Sequence, residues 1–384
     1  SLTVSGDETQ GDTSFSCTSG TDEAGNTMAE DTDADSGAVN IDYTAPTIGI
    51  SSTGGDGYVN AAESTAVVVT GTTTGVADGT SVTVTYGGSG NSETGTVNSD
   101  QWSVTITNPT GVSDGLVAVT ANVADAAGND ATPASVNALQ DTVAPTVTVS
   151  MGSYADDTGS SGSDFITTDI DGAALTATLS TALAAGETLQ LSIDGGSTYN
   201  DISSNDITND VDVSTSVTLN GDGSEGTDAL IFRVVDTAGN AGTTESQDYT
   251  VDLTAPTFGV SGVTTISSSN SNNALSIDGD TVTVTVVASE TIDTPTCAIS
   301  VDGNPATNDE SIQNTADNTW TCSVVLDDAD SDGSITFSIT PTDPAGNAGN
   351  ADTTVDDASS VTHDDTSPTL TPVSIVTDNT DTTG

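Results

Sequence analysis

Two short motifs recur in the same order at a nearly constant spacing, and this repetition constrains the fold more than any other feature of the chain. The first motif, Asp-x-Ala-Gly-Asn, recurs at steps of 103, 111 and 107 residues and occupies Asp22–Asn26, Asp125–Asn129, Asp236–Asn240 and Asp343–Asn347. The second, Asp-x-x-Ala-Pro-Thr, begins at Asp42, Asp141 and Asp252, and a fourth copy at Asp364 has Ser367 in place of alanine. Two motifs with a shared period predict a tandem array of similar domains.

Each period contains about seven short runs in which Val alternates with Thr, separated by clusters of Gly, Asn, Asp and Pro. In the first complete period these runs include Thr65–Thr70, Ser81–Tyr86, Gln101–Thr107 and Leu116–Ala124. Alternation of this kind places Val inside and Thr outside a two-layer sheet structure. We therefore predict an all-β fold, a tandem array of seven-stranded immunoglobulin-like β-sandwich domains, with Trp102 and Trp320 between the sheets.

The proline of the second motif suits the start of a domain, because proline removes a backbone donor and fixes the chain. The predicted complete domains are 42–140, 141–251 and 252–363. Residues 1–41 are interpreted as the C-terminal part of a preceding domain, and residues 364–384 as the first strand of a further one. We favour a segment of a longer array, with strand exchange between subunits of a filament as the alternative.

Charge excludes several classes of partner. The chain has 384 residues with 57 acidic side chains, one basic side chain (Arg233) and a net charge of -56. This charge excludes binding to nucleic-acid phosphates and disfavours docking on anionic membranes. Of the acids, 47 are Asp and ten are Glu, and the short Asp side chain suits turns and oxygen-ligand cation sites. Disorder and adaptation to brine are the alternatives, and the alternating β-branched runs count against disorder.

The residues resemble the bacterial immunoglobulin-like repeats of large surface adhesins and biofilm-associated proteins. The resemblance rests on both motifs, on Tyr58–Glu63 before the second strand and on Asp100–Val104 in mid-domain, and it fits the first complete domain best. The second domain departs from it, with Asp164–Asp169 where the first has Tyr58–Glu63. The resemblance implies an extracellular rod on a bacterial surface, often with calcium between domains.

In an immunoglobulin-like sandwich, Asp-x-Ala-Gly-Asn fits the turn between the last two strands, beside the start of its own domain. The preceding domain contributes acids from its opposite end. Calcium takes six to eight oxygen ligands, largely from carboxylates and carbonyls, so we predict Ca²⁺ at each junction. The first junction has Asp42, Asp125 and Asn129. The second has Glu63, Asp114, Asp141, Asp236 and Asn240. The third has Asp169, Asp222, Asp252, Asp343 and Asn347, and Asp364 begins a fourth.

Alternative interpretations accompany these sites. Asp-x-Ala-Gly-Asn also fits a plain tight turn in which Asp accepts hydrogen bonds from backbone amides. Asp328, Asp330 and Asp332, followed by Gly333, resemble the first half of an EF-hand loop, but Ile339 stands where the loop's last acid is expected. A hairpin turn is the alternative there, and Asp31–Asp35 is a weaker version of the same pattern.

Cysteine and histidine usage bears on localisation and activity. Cys297 and Cys322 are predicted to form a disulfide in an extracellular chain, with buried thiols as the alternative, and Cys17 is left over. Catalytic triads and Cys–His dyads need a histidine, and we interpret the single one, His363, as a solvated linker side chain. We therefore predict that the chain is not an enzyme.

The favoured function is a calcium-stiffened structural or adhesive rod or filament of a bacterial cell surface or biofilm matrix. Its expected partners are neighbouring repeats, other copies of the chain, and a host or matrix glycan or protein at a distant tip. The alternative is a glycan- or protein-binding adhesin module, in which the third domain, with its candidate disulfide and Asp-rich loop, is the recognition domain.

Overall fold

A computed structural model describes residues 11–13, 21, 23–26, 39–169, 171–220, 225–259 and 264–371. It is all-β apart from two short 3₁₀ turns, Glu63–Thr65 and Ser204–Asp206. In the described ranges, no helix has the length and apolar character that crossing a lipid bilayer requires. The chain divides into two compact units: Ser1–Thr148, Thr181–Gln190 and Arg233–Thr244 form one, and Val149–Ser180, Leu191–Phe232 and Glu245–Gly384 form the other.

A two-stranded antiparallel sheet precedes the first complete sandwich: β1 (Gly11–Thr13) pairs with β2 (Val39–Ile41). The first sandwich contains β3 (Thr47–Thr53), β4 (Tyr58–Val59), β5 (Ala66–Thr74), β6 (Ser81–Tyr86), β7 (Ser92–Thr96), β8 (Gln101–Thr107), β9 (Gly115–Asn122) and β10 (Ala134–Gln140). Its two sheets have the orders β3-β5-β8 and β4-β10-β9-β6-β7.

The second sandwich contains β11 (Val149–Tyr154), β12 (Ile166–Thr167), β13 (Ala173–Leu179), β14 (Thr188–Ser192), β15 (Asn200–Asp201), β16 (Ile207–Thr208), β17 (Asp212–Val217), β18 (Gly226–Val235) and β19 (Glu245–Val251). Its sheets have the orders β11-β13-β17-β16 and β12-β19-β18-β14-β15.

The third sandwich contains β20 (Thr265–Ser268), β21 (Leu275–Ser276), β22 (Thr281–Val287), β23 (Thr296–Val301), β24 (Asn304–Pro305), β25 (Ser311–Ala316), β26 (Thr319–Val325), β27 (Gly333–Thr340) and β28 (Thr362–His363). Its sheets have the orders β20-β22-β26-β25 and β21-β28-β27-β23-β24.

The sandwiches have more strands than the predicted seven, because each begins with a strand that changes sheets. In the first sandwich β3 pairs with β5 in one sheet, and β4 then pairs in parallel with β10 in the other. The chain crosses between them at Gly54, whose φ of +69° is unfavourable for other residues; a Cβ there would lie 1.8 Å from the Tyr58 carbonyl oxygen. Counting β4, the first sandwich has eight strands, and short edge strands bring the other two to nine each.

The core follows the predicted alternation of Val and Thr. Val82, Val84 and Tyr86 of β6 are fully buried, and so are Val282, Val284 and Val286 of β22. Each buried Val contributes roughly 1.5–3 kcal/mol relative to an exposed one. Trp102 and Trp320 are 3% and 7% exposed, on β8 and β26, so both lie in the core as predicted.

Candidate metal centres at the sandwich junctions

The aspartate that opens each Asp-x-x-Ala-Pro-Thr motif closes a small turn at the start of its sandwich. One carboxylate oxygen accepts the backbone N–H two residues ahead, in Asp42 at 2.8 Å, Asp141 at 3.1 Å, Asp252 at 3.0 Å and Asp364 at 3.2 Å. For the last three, the aspartate's own N–H bonds 3.0 Å away to the short strand of the preceding sandwich, at Val59, Thr167 and Ser276. The linker is therefore hydrogen-bonded on both sides.

The Asp-x-Ala-Gly-Asn motif forms a closed turn between the last two strands of each sandwich. In Asp125, Asp236 and Asp343, one carboxylate oxygen accepts the Asn backbone N–H at 2.8–2.9 Å and the other accepts the Asn Nδ2 at 2.8–2.9 Å. These bonds from Asn129 are the main reason that the pKa of Asp125 lies below its ordinary value. The hydrogen bonds of a plain tight turn are thus present in each described copy.

The asparagine of the motif also holds the start of its own sandwich. Its Nδ2 donates to the carbonyl oxygen of the linker aspartate, from Asn129 to Asp42 at 3.0 Å, from Asn240 to Asp141 at 2.9 Å and from Asn347 to Asp252 at 2.9 Å. The sequence prediction that each motif lies beside its own Asp-x-x-Ala-Pro-Thr therefore agrees with the geometry.

The junction at Asp141 (the Asp141 junction, with Glu63, Asp114, Asp236 and Asn240) is held by direct hydrogen bonds. The Oδ1 of Asn240 accepts the Ala61 N–H of the preceding sandwich at 2.8 Å. Asp114 accepts both the backbone N–H and the hydroxyl of Thr142 at 3.1 and 3.0 Å. Glu63 exchanges bonds with Asn60 at 3.0 and 3.1 Å within one turn. The predicted ligands Glu63 and Asp114 are thus already engaged.

A pocket of about 330 Å³ lies at the Asp141 junction, and Asp141, Glu187 and Asp236 all line it. The Glu187 carboxylate accepts the Ala184 N–H at 2.8 Å in its own loop. Among the described residues, carboxylate oxygens of these three acids do not come together within 4.8 Å of one another. The three acids therefore line the same pocket, but their carboxylates are too far apart to share one metal ion.

The junction at Asp252 (the Asp252 junction, with Glu225, Glu290, Asp343 and Asn347) differs, because its carboxylates converge. One oxygen from each of Asp252, Glu290 and Asp343 lies within 4.8 Å of the others, and the Asp343 side chain is 0% exposed. Burial and then the nearby Asp343 and Glu225 raise the pKa of Asp252, although the Thr254 N–H opposes the shift. Burial, followed by Asp252 and Asp343, raises the pKa of Glu290.

Glu225 joins this group from the turn before β18. Its carboxylate accepts the Thr254 hydroxyl at 2.8 Å and is one of the groups that raise the pKa of Asp252. Glu225 thus plays the part at the Asp252 junction that Asp114 plays at the Asp141 junction, since both hold a threonine of the following linker.

Asp169 of the predicted third junction is engaged within its own sandwich. Asp169 accepts the Tyr154 hydroxyl and the Asp171 N–H inside the second sandwich, and its carboxylate is not among those that converge with Asp252. Asp222 lies outside the described residues, as do Cys17, Asp22 and Asp31–Asp35. A further contact between the second and third sandwiches is made by the Thr158 hydroxyl, which donates to the Ala345 carbonyl oxygen at 2.7 Å.

The Asp-rich segment of the third sandwich connects β26 to β27, which lie in different sheets, so the hairpin alternative is wrong as well. Asp330 is buried and accepts the N–H groups of Thr307 and Asp327, both at 3.0 Å. Asp332 accepts the Asp365 N–H at 2.8 Å, and Asp328 is exposed. Asp330 and Asp332 therefore hold different partners, and the three carboxylates of the predicted EF-hand-like loop do not converge.

Two further predictions concern the third sandwich. Cys297 on β23 is joined to Cys322 on β26, which links the two sheets. The interpretation of His363 as a solvated linker residue is wrong: it ends β28 and is 0% exposed. The reason is register, since His363 pairs with Ser276 of β21 and its side chain enters the sandwich.

Sequence reasoning missed the three glutamates Glu187, Glu225 and Glu290. They lie in loops outside both repeat motifs. Their rarity was the available signal, because only ten of the 57 acids are Glu. A glutamate side chain is one methylene longer than aspartate and reaches a junction from a loop farther away.

The donor set of the Asp252 junction fits a hard divalent cation such as Ca²⁺, which prefers carboxylate oxygens. The chain has no lysine, and its one arginine, Arg233, donates from Nε to Gln190 at 2.9 Å. The negative charge of the converging carboxylates can therefore be neutralised by bound protons or by a metal ion.

No protein-family model and no curated protein sequence matches this chain. Among solved structures it is similar to a region of a 1.5-MDa bacterial ice-binding adhesin concerned with host cell surface retention, at 20% identity over 83% of this chain and 95% of the other, with a TM-score of 0.28. It is also similar to a tetra-tandem repeat from the extending region of a large adhesion protein, at 22% identity over 93% and 82%, with a TM-score of 0.28. A third similar structure is the three-domain ectodomain of mouse nectin-like molecule 4, at 15% identity over 82% and 99%, with a TM-score of 0.26. The structural neighbours of this chain thus include bacterial adhesin repeats and other immunoglobulin-like arrays.

Proposed function

We propose that this chain is part of an extracellular structural or adhesive rod of a bacterial cell surface or biofilm matrix, and that calcium stiffens it at the Asp252 junction. The observation that carries the proposal is the convergence of Asp252, Glu290 and Asp343, with Glu225 beside them, in a chain without lysine. No catalytic role is assigned to any residue.

The physical reason for stiffening is electrostatic. Like charges at this separation repel one another, and burial of Asp343 strengthens that repulsion. The acids come from both sides of the boundary, since Glu225 belongs to the second sandwich, Asp252 opens the linker, and Glu290 and Asp343 belong to loops of the third. A bound calcium ion converts the repulsion into a clamp that fixes the linker between the two sandwiches.

The direct hydrogen bonds at each junction support a spacer role as well. Asn240 and Asn347 tie the turn of one sandwich to the linker that enters it, and Ala61 and Thr158 of the preceding sandwich complete the contact. The third sandwich's disulfide and Asp-rich turn, on which the recognition-domain alternative depended, are both engaged in internal contacts.

Small-angle scattering from the chain tests the proposal, with millimolar calcium and then with excess chelator at the same ionic strength. We expect chelation to broaden the distribution of intramolecular distances and restored calcium to reverse the change. The variant Glu290→Gln, which removes one converging carboxylate, should need about tenfold more calcium than the parent chain for the same change in scattering.

The matched control is Glu187→Gln, which removes the glutamate of the equivalent loop at the Asp141 junction and should preserve the calcium response. Scattering that ignores calcium and responds only to molar monovalent salt would contradict the proposal. That outcome would assign the acids to adaptation to brine.

A further inference from the structure

Two buried polar atoms of the third sandwich, Trp320 Nε1 and His363 Nε2, make no hydrogen bond among the described residues, and of the two only the imidazole nitrogen can bind a metal ion. His363 is 0% exposed, and its Nε2 makes no hydrogen bond. Its Nδ1 faces the Ser276 hydroxyl at 3.3 Å. Leaving a buried donor or acceptor without a hydrogen bond is unfavourable, so a ring nitrogen in this state points to a ligand.

The equivalent positions of the other two sandwiches show that the fold does not need a histidine. Gln140, Val251 and His363 each end the last strand, directly before the linker aspartate, and pair with Val59, Thr167 and Ser276. Gln140 accepts a hydrogen bond from Tyr86 at 2.9 Å, and Val251 is apolar and fully buried. Gln140 and Val251 therefore leave no buried polar atom without a hydrogen bond at this position. His363 leaves its Nε2 without one.

Acidic side chains surround the unpartnered nitrogen. Nε2 lies 3.8 Å from an Asp278 carboxylate oxygen, and the Asp278 side chain is 45% exposed. One ligand atom from each of Asp278, His363 and Asp365 lies within 4.8 Å of the others. Asp280 and Asp332 add negative charge near the imidazole.

We propose that His363 Nε2, Asp278 and Asp365 bind a divalent transition-metal ion of the zinc class. One imidazole nitrogen with two carboxylate oxygens suits Zn²⁺, whereas Ca²⁺ takes oxygen ligands. Ligands of a tetrahedral zinc ion at about 2.0–2.1 Å lie about 3.3 Å apart. The separation of 3.8 Å between Nε2 and the Asp278 oxygen closes to that value with a small movement of an exposed side chain.

The surroundings provide an entry path and a structural role. A pocket of about 530 Å³ is lined by both carboxylate ligands, Asp278 and Asp365, and by Thr366. Asp332 holds the Asp365 N–H at 2.8 Å and the Thr366 hydroxyl at 2.5 Å, which positions the linker beside β28. The metal ion would therefore lock the segment after the third sandwich, independently of the calcium proposed at the Asp252 junction.

The test is calorimetric titration of Zn²⁺ into the full chain with millimolar calcium present throughout. The chain must carry no histidine tag, and Cys17 is changed to serine in every sample so that its thiol cannot bind zinc. Because His363 is the only histidine, its ring proton signals in NMR report directly on the site. We expect one zinc ion per chain and a displacement of those signals at one equivalent.

Two variants separate ligand loss from misfolding. His363→Gln introduces the residue that the first sandwich has at this position, and Asp278→Asn changes an exposed side chain. Each should weaken zinc binding at least about tenfold, since loss of even an outer-shell partner costs about that much. The control Asp201→Asn, on β15 of the second sandwich, should bind zinc as the parent chain does.

Ring signals that do not move on addition of zinc would overturn the proposal. Undiminished zinc affinity in both His363→Gln and Asp278→Asn would do the same, because the zinc would then be bound by other acids.

Discussion

The Asp141 and Asp252 junctions are built from the same two motifs but reach different electrostatic states. Their turn hydrogen bonds match to within a tenth of an ångström in Asp236 and Asp343. At Asp141, however, Glu187 is bound to its own loop, while at Asp252 the corresponding Glu290 converges with Asp252 and Asp343. The repeat motif therefore specifies a turn, and a glutamate outside the motif decides whether that turn becomes a candidate metal centre.

The largest expected effect is a loss of stability when the hydrogen bonds of the motif asparagine are removed. Asn240→Ala removes the donor to Asp141 and Asp236 and the acceptor of the Ala61 N–H, all in a side chain that is 6% exposed. We expect a loss of about 2 kcal/mol of stability, since buried polar groups are left unpaired, and no rescue by calcium. Urea unfolding followed by Trp102 fluorescence in a Trp320→Phe background measures it.

Asn347→Ala is the comparison at the other junction. It should cost a similar or smaller amount, about 1–2 kcal/mol, and calcium should recover part of the loss because the metal ion holds Asp252 and Asp343 together. Equal behaviour of the two variants in calcium would break the distinction between the junctions.

The next effect is on calcium affinity. Glu290→Gln should raise the Kd of the tightest calcium site about tenfold, or about 1.4 kcal/mol, since the charge count of the ligands sets the affinity. Glu187→Gln should leave that Kd unchanged, because its carboxylate is bound to Ala184. Calorimetry on both variants checks this, and the account fails if Glu187→Gln weakens binding as much as Glu290→Gln.

The smallest expected effect is a difference in the sign of the pH dependence without calcium. The raised pKa values of Asp252 and Glu290 mean that the folded state binds these protons more tightly than the unfolded state. The ionised carboxylates destabilise the folded state. This destabilisation disappears as pH falls through the raised pKa of the folded state towards the ordinary pKa of the unfolded state. The Trp320 unfolding midpoint should therefore rise on mild acidification in chelator.

Asp125 in the first sandwich supplies the opposite case. Its pKa is lowered, so its stabilising contribution is present above the ordinary pKa and is lost as pH falls through the lowered value. Acidification should not raise the Trp102 midpoint. If the Trp102 and Trp320 midpoints shift in the same direction on acidification, the carboxylates of the Asp252 junction do not have the raised pKa values that distinguish them.

Much of the fold could be predicted, because the repeated motifs mark the domains and the local alternation of Val and Thr marks the strands. Ser81–Tyr86 and Gln101–Thr107 are strands with the predicted bounds, since alternating Val and Thr have one favourable placement in a half-buried sheet. The position of each Asp-x-Ala-Gly-Asn beside its own linker also followed from strand order. Strand switching at Gly54 was not foreseen, because it depends on backbone conformation in a loop.

The candidate sites were predicted less well, because convergence of side chains is a tertiary property. Asp169 satisfied the sequence pattern but is used by Tyr154, and Glu290 satisfied no pattern but meets Asp252 and Asp343. His363 shows the same limit, since its burial follows from pairing with Ser276, a residue 87 positions earlier.

Hydrogen–deuterium exchange with and without calcium compares the two junctions in one molecule and tests the central claim most directly. We expect calcium to slow exchange in segments 252–257, 288–292 and 343–348, and to leave segments 141–146, 184–190 and 236–241 unchanged. Equal protection of both sets, or of neither, would contradict the assignment of calcium to the converging carboxylates of the Asp252 junction.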